Sequence, residues 1–186
     1  MRRGNIVRSW YDKDDNKPND VVVFGRSYTP EYDNGGCKTN VYKSKEINSK
    51  LARDTIDLPV YIEHDDRYNC GFVADSFVDE LRTLNSFLYI TGNRTVNEKF
   101  LEGALSIDPM TNTRYYGGLS MGTQVELDCT SKPYVFAKGA KPKEISVVQK
   151  PDRPHANIFD YYVVPKSAEE PKEFVRELSR KYDRFY

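Results

Sequence analysis

Apolar positions along this chain come in short runs, each closed off by glycine, proline, asparagine or aspartate. Runs rich in β-branched and aromatic residues predict strands at 20–28 (DVVVFGRSY), 58–64 (LPVYIEH), 70–77 (CGFVADSF), 86–91 (SFLYIT), 117–127 (GGLSMGTQVEL), 143–149 (KEISVVQ) and 157–164 (NIFDYYVV). Two stretches change to helical spacing. In 95–106 a Thr95/Glu98 capping box precedes Phe100, Leu101, Ala104 and Leu105. In 168–185 a Ser167/Glu170 box precedes a stripe of Phe174, Val175, Leu178, Tyr182 and Phe185. A weaker helical pattern covers 43–53, and 28–42 and 107–116 read as loops.

The 186 residues are expected to form one domain, 1–186, because no linker or internal repeat interrupts them. Lys plus Arg and Asp plus Glu are both 28, so no nucleic-acid or membrane surface is expected as a partner. The apolar fraction is only 38%, but 14 tyrosines and 9 phenylalanines supply bulky packing. No apolar run approaches the ~20 residues of a membrane span, and the first residues lack a signal-peptide pattern, so an intracellular location is expected. Three widely spaced cysteines, Cys37, Cys70 and Cys129, fit free thiols in a reducing compartment.

Three segments carry candidate chemistry. In GGLSMGTQ, Ser120 lies between glycines inside a strand, which suits either a β-bulge or a nucleophile that a substrate backbone can approach closely. Only two histidines occur, and His64 ends the strand LPVYIEH at a turn, where its ordinary pKa suits it to accept a proton at neutral pH. Glu144 opens the apolar run EISVV, 24 residues past Ser120. A carboxylate there is either solvated or set to hold a histidine in one tautomer.

Taken together, LPVYIEHDD…CGFVADSF, GGLSMGTQ and KEISVVQKPDRPHANI, spanning about 57–164, resemble the capsid-maturation proteases of herpesviruses and tailed phages, the assemblin and prohead protease group. Their order, His then Ser then third member, is the family's order. The resemblance implies an α+β fold, a closed or nearly closed, mostly antiparallel β-barrel of about seven strands with flanking helices, including a C-terminal one. It implies a serine endopeptidase with Ser120 as nucleophile, His64 as general base and Glu144 as orienting group, as in the phage form. The herpesviral form has a second histidine at that place, which makes His155 the alternative third member. It implies transition-state stabilisation by the 152–153 loop, through a backbone N–H at Asp152 or Arg153 and the Arg153 guanidinium. The herpesviral enzymes carry an arginine pair there, so the match is half kept. The implied substrate is the scaffold inside an immature capsid, and the protease itself, with the capsid shell as an indirect partner. No cofactor and no metal are implied. The C-terminal helix is expected to pack on its own barrel or on the same helix of a second copy, and a homodimer is expected from the latter.

Three further readings stay open on the residues. One is a non-catalytic viral or structural domain of the same fold. Another is a thiol hydrolase using Cys70 or Cys129 with His64. The last is a metal-binding module of His64, Asp65, Asp66 and His155, although no HExxH or paired CxxC spacing is present.

Overall fold

The computed structural model describes residues 20–28, 41–42, 45–91, 110, 117–128, 130, 135–153, 155–165 and 170–182. Among these, the elements in chain order are β1 (Val21–Tyr28), β2 (Val41–Tyr42), α1 (Lys45–Thr55), β3 (Pro59–Ile62), β4 (Asp65–Val78), β5 (Leu84–Ile90), β6 (Gly118–Asp128), β7 (Val135–Val148), β8 (Ile158–Val163) and α2 (Pro171–Tyr182). The strands form one eight-stranded sheet in the order β2-β7-β3-β4-β5-β1-β8, with β6 paired to β7 off this path. Pairing is antiparallel except for β2 and β3, which both run parallel to β7.

Strands β1 and β5 are apolar on both faces because both faces are covered. Val21, Val23, Leu88 and Ile90 point into the main core with Val60, Ile62, Val73, Leu119, Ile145 and Val147. Their neighbours Val22, Phe24, Phe87 and Tyr89 point the other way, onto Val175 and Leu178 of α2. This alternation within a continuous apolar run is the period-2 geometry of a strand buried on both sides. Helix α1 buries Asn48, Leu51, Ala52 and Thr55, with Ala52 packed beside Tyr28 and Leu84.

The expected barrel is only partly realised. The ladder path is open between β6 and β8, which meet in a single bridge, Gly118 to Asn157. That bridge is supported by Leu119 N–H to Ala156 O at 2.9 Å and Ile158 N–H to Gly117 O at 2.8 Å. On the β1 side, Arg26 N–H donates to Asn157 O at 3.0 Å. A Cβ on Gly25 would sit 2.7 Å from Asn157 O, so only glycine permits this approach.

Some element boundaries differ from expectation, and of the two packings expected for the C-terminal helix the one on its own sheet is found. Strand β2 falls within 28–42, expected to be loop. Helix α2 begins at Pro171 rather than 168; Glu170 O accepts from Glu173 and Phe174 N–H, which makes Glu170 the N-cap and Pro171 the first helical residue. Proline suits that position because its missing N–H would have had no partner there. The apolar stripe of α2 packs on its own sheet, with Val175 0% and Leu178 6% exposed, so Leu178 is not available to a second copy. The expected 95–106 helix, the 107–109 and 111–116 loop segments, Ser167, Phe185, Cys37 and Cys129 lie outside the described residues.

Candidate active site

Three pieces of local structure set the site. The first is the two-residue turn between β3 and β4, closed by the Ile62–Asp65 pair. Its central residues Glu63 and His64 both have positive φ, 52° and 59°. That is the φ pattern of a type I′ hairpin turn, normally filled by Asn or Gly, so the turn is strained and needs support. Support comes from the adjacent strand β7. Glu63 N–H donates to Val147 O at 3.0 Å, and His64 N–H donates to Ser146 Oγ at 3.2 Å. Just past the end of β7, Gln149 N–H donates to Glu63 Oε1 at 2.6 Å.

The second piece is the β6/β7 ladder. Ser120 is opposite Ser146 and Gly122 is opposite Glu144. Opposed residues share a face, as do residues two apart, so these four project to the same side of the sheet. Leu119, Ile145 and Val147 project to the other, into the core. The Glu144 side chain lies across Gly122: a Cβ on residue 122 would be 2.2 Å from Glu144 Oε1. That oxygen is also 2.8 Å from His64 Nδ1. A single carboxylate oxygen thus sits over the serine's strand and against the histidine.

The chemistry follows from donors and acceptors. An ionised carboxylate only accepts, so the proton lies on Nδ1 and the lone pair of neutral His64 lies on Nε2, ready to take a proton. The Glu144 hydrogen bond raises the His64 pKa above its ordinary 6.5; partial burial opposes it, and the charges of Glu144 and Glu63 reinforce it. Ser146 donates its hydroxyl to the second carboxylate oxygen, Oε2, at 2.6 Å. Among the described residues, Ser120 and His64 are not hydrogen-bonded to each other. In resting enzymes this contact is often long and tightens when substrate binds.

The third piece is a cavity of about 160 Å³ beside Ser120, lined by Tyr28, Leu119, Met121, Thr123, Asp152 and Arg153 among others. The Arg153 guanidinium stacks over the Tyr28 ring at 4.2 Å. Burial raises the Tyr28 pKa and the Arg153 charge partly offsets this. The 152–153 loop and Ser120 therefore line the same cavity.

No protein-family model and no curated protein matches the chain. Among solved structures it is similar to the protease of Kaposi's sarcoma-associated herpesvirus (KSHV) in complex with a hexapeptide phosphonate inhibitor, at TM-score 0.50 and 15% identity over 88% of this chain and 77% of that one. The varicella-zoster virus protease follows at TM-score 0.47 and 17% identity, with the same coverage. The chain has the fold of the herpesvirus proteases.

Within that fold, the structure brings His64 to Glu144, and Ser120 to Asp152 and Arg153. It does not bring His155 to His64, whose Nδ1 is occupied by Glu144; His155 is exposed on a turn at φ 64°. The metal-binding alternative fails among the described residues, which contain no group of three or more ligating side chains; Asp65 is instead ion-paired to Arg67 at 2.6 Å. The thiol alternative fails for Cys70, which is fully buried, with burial pushing its thiol up to about 12. Sequence reasoning missed Ser146, Gly122 and Tyr28. The first two were legible as polar or small positions two residues from Glu144 and Ser120, on the same strand face.

Proposed function

We propose that the chain is a viral serine endopeptidase of the assemblin and prohead protease kind, with Ser120, His64 and Glu144 as its triad. The observation that carries this is the 2.8 Å His64–Glu144 hydrogen bond laid over Gly122, on the sheet face that bears Ser120. The herpesvirus-protease fold adds to it. Ser120 Oγ attacks the peptide carbonyl while His64 Nε2 takes its proton, and Glu144 stabilises the imidazolium through Nδ1–H. The imidazolium then protonates the leaving amine, and the acyl-enzyme remains on Ser120. Water, deprotonated by Nε2, attacks the ester, and the proton returns to Ser120 as the new carboxylate leaves. Negative charge on the carbonyl oxygen is stabilised from the 152–153 loop, by a backbone N–H of Asp152 or Arg153 and by the Arg153 guanidinium.

The proposed substrate is the internal scaffold of an immature capsid, together with the chain itself, cut within the assembling procapsid of an infected cell. The capsid shell is an indirect partner, and a homodimer is the proposed assembly, formed by a surface other than the face of α2 that packs on its own sheet. The test is a peptidyl phosphonate probe followed by peptide mapping. Covalent labelling at Ser120, lost in Ser120→Ala and His64→Ala but retained in His155→Ala, is the expected result. A folded protein that never labels at Ser120 refutes the protease and leaves a non-catalytic domain of the same fold.

A further inference from the structure

The Ser146 hydroxyl has two partners, and both belong to the site. It accepts from the His64 backbone N–H at 3.2 Å and donates to Glu144 Oε2 at 2.6 Å. Ser146 is completely buried, in the row of β7 between Tyr61 on β3 and Ser120 on β6. Its neighbours Ile145 and Val147 face the core, so the alternation of β7 turns residue 146 toward the site. A buried hydroxyl in a strand has no part in the ladder, whose bonds are backbone to backbone. Its orientation is therefore set by the histidine turn and the carboxylate.

We propose that Ser146 is a positioning residue that locks the His64 turn and the Glu144 carboxylate into one rigid unit. The proposal rests on the protease reading above, with His64 as base. Glu144 has two oxygens but needs one of them, Oε1, against Nδ1. With Oε2 fixed by the Ser146 hydroxyl, the carboxylate plane is fixed and Oε1 is presented to the imidazole. The same hydroxyl ties down the backbone of a histidine held at φ 59°, a conformation that a non-glycine residue keeps only when its surroundings over-determine it. One oxygen atom thus sets both ends of the His64–Glu144 bond. Without it the carboxylate is no longer held against Nδ1, and the bond that raises the His64 pKa weakens. Glu144 and Glu63 are the charged groups acting on the imidazole.

The experiment compares wild type, Ser146→Ala and Ser146→Thr in peptide hydrolysis across pH, alongside the His64 titration followed by NMR. Ser146→Ala is expected to lower kcat roughly 10- to 100-fold, the usual effect of losing a group that orients a site residue. KM should change little, and the acidic midpoints of kcat/KM and of the His64 titration should both move downward, toward those of an unpaired histidine. Ser146→Thr keeps the hydroxyl on a strand-compatible side chain and should restore the rate and both midpoints. Should the added methyl prevent folding, Ser146→Cys, a weaker donor of similar size, should fall between Ser and Ala. A Ser146→Ala enzyme with unchanged kcat and midpoints overturns the proposal, as does a folded hydroxyl-bearing variant no better than alanine. If the wild-type protein proves inert at Ser120, the protease reading fails separately. The NMR titration then still decides the link: a downward move in Ser146→Ala supports it, and no move or an upward move overturns it.

Discussion

Replacing Gly122 by alanine isolates the His64–Glu144 contact from the rest of the fold. The new Cβ would lie 2.2 Å from Glu144 Oε1, 3.0 Å from Cδ and 3.2 Å from Cγ. Comfortable contact begins near ~3.5 Å, so the carboxylate must withdraw by roughly 1 Å. That stretches the 2.8 Å bond to His64 past hydrogen-bonding range. Losing a hydrogen bond to a charged group removes about 1.5–3 kcal/mol, and less here because the imidazole is 46% exposed. Removing a strand glycine returns roughly 0.5–1 kcal/mol of backbone entropy. The two effects nearly cancel, so Tm should move by only a few degrees, at about 2–4 °C per kcal/mol for a chain of this size. Activity has no such offset. A site group displaced by about 1 Å lowers rates roughly 100-fold, and the His64 titration should fall back toward that of an unpaired histidine. Peptide hydrolysis, thermal unfolding and NMR of the same sample check all three. A Gly122→Ala protein with the wild-type rate and wild-type His64 titration would refute the placement of Glu144 between the serine's strand and the histidine.

Three further outcomes are expected. His64 must be neutral to act as a base and its folded pKa is raised, so kcat/KM should rise with pH through a midpoint above 6.5, and Glu144→Gln should lower both the rate and that midpoint; a midpoint unmoved by Glu144→Gln contradicts the pairing. Stability runs the other way, since the protonated pair's contribution is fully present below 6.5 and is lost as pH rises through the raised value, which denaturant titrations at pH 5 and pH 9 would detect. Leu178→Ala, at 6% exposure on the buried face of α2, should cost about 2–5 kcal/mol of stability; a loss below 1 kcal/mol would mean that α2 does not depend on its own sheet.

How the site is assembled shows what was legible beforehand and what was not. The strands at 20–28, 58–64, 70–77, 86–91, 117–127, 143–149 and 157–164 were legible because β-branched and aromatic runs between turn residues are a local property of the chain. Ser120, His64 and Glu144 stood out for the same reason: each sits at a position where its residue type is unusual for its segment. The C-terminal helix was legible too, but its start was not. Ser167 and Glu170 spell a capping box, yet helical hydrogen bonding begins from Glu170 with Pro171 as the first residue.

What the sequence by itself determined is thus the set of elements and the chemical types they carry. What only the tertiary structure decided is which of them meet. The parallel pairing of β3 on β7 places the His64 turn beside Ser146, and the antiparallel register of β6 on β7 places Gly122 under Glu144. A slip of one residue in either ladder would send Glu144 into the core and Ile145 to the site. Register is fixed by burying Leu119, Ile145 and Val147 together with residues from five other strands, a condition no single segment contains. The burial of Leu178 has the same origin, for the helix stripe was visible in the chain while the aromatic face that covers it is built by β1 and β5 only once they pair.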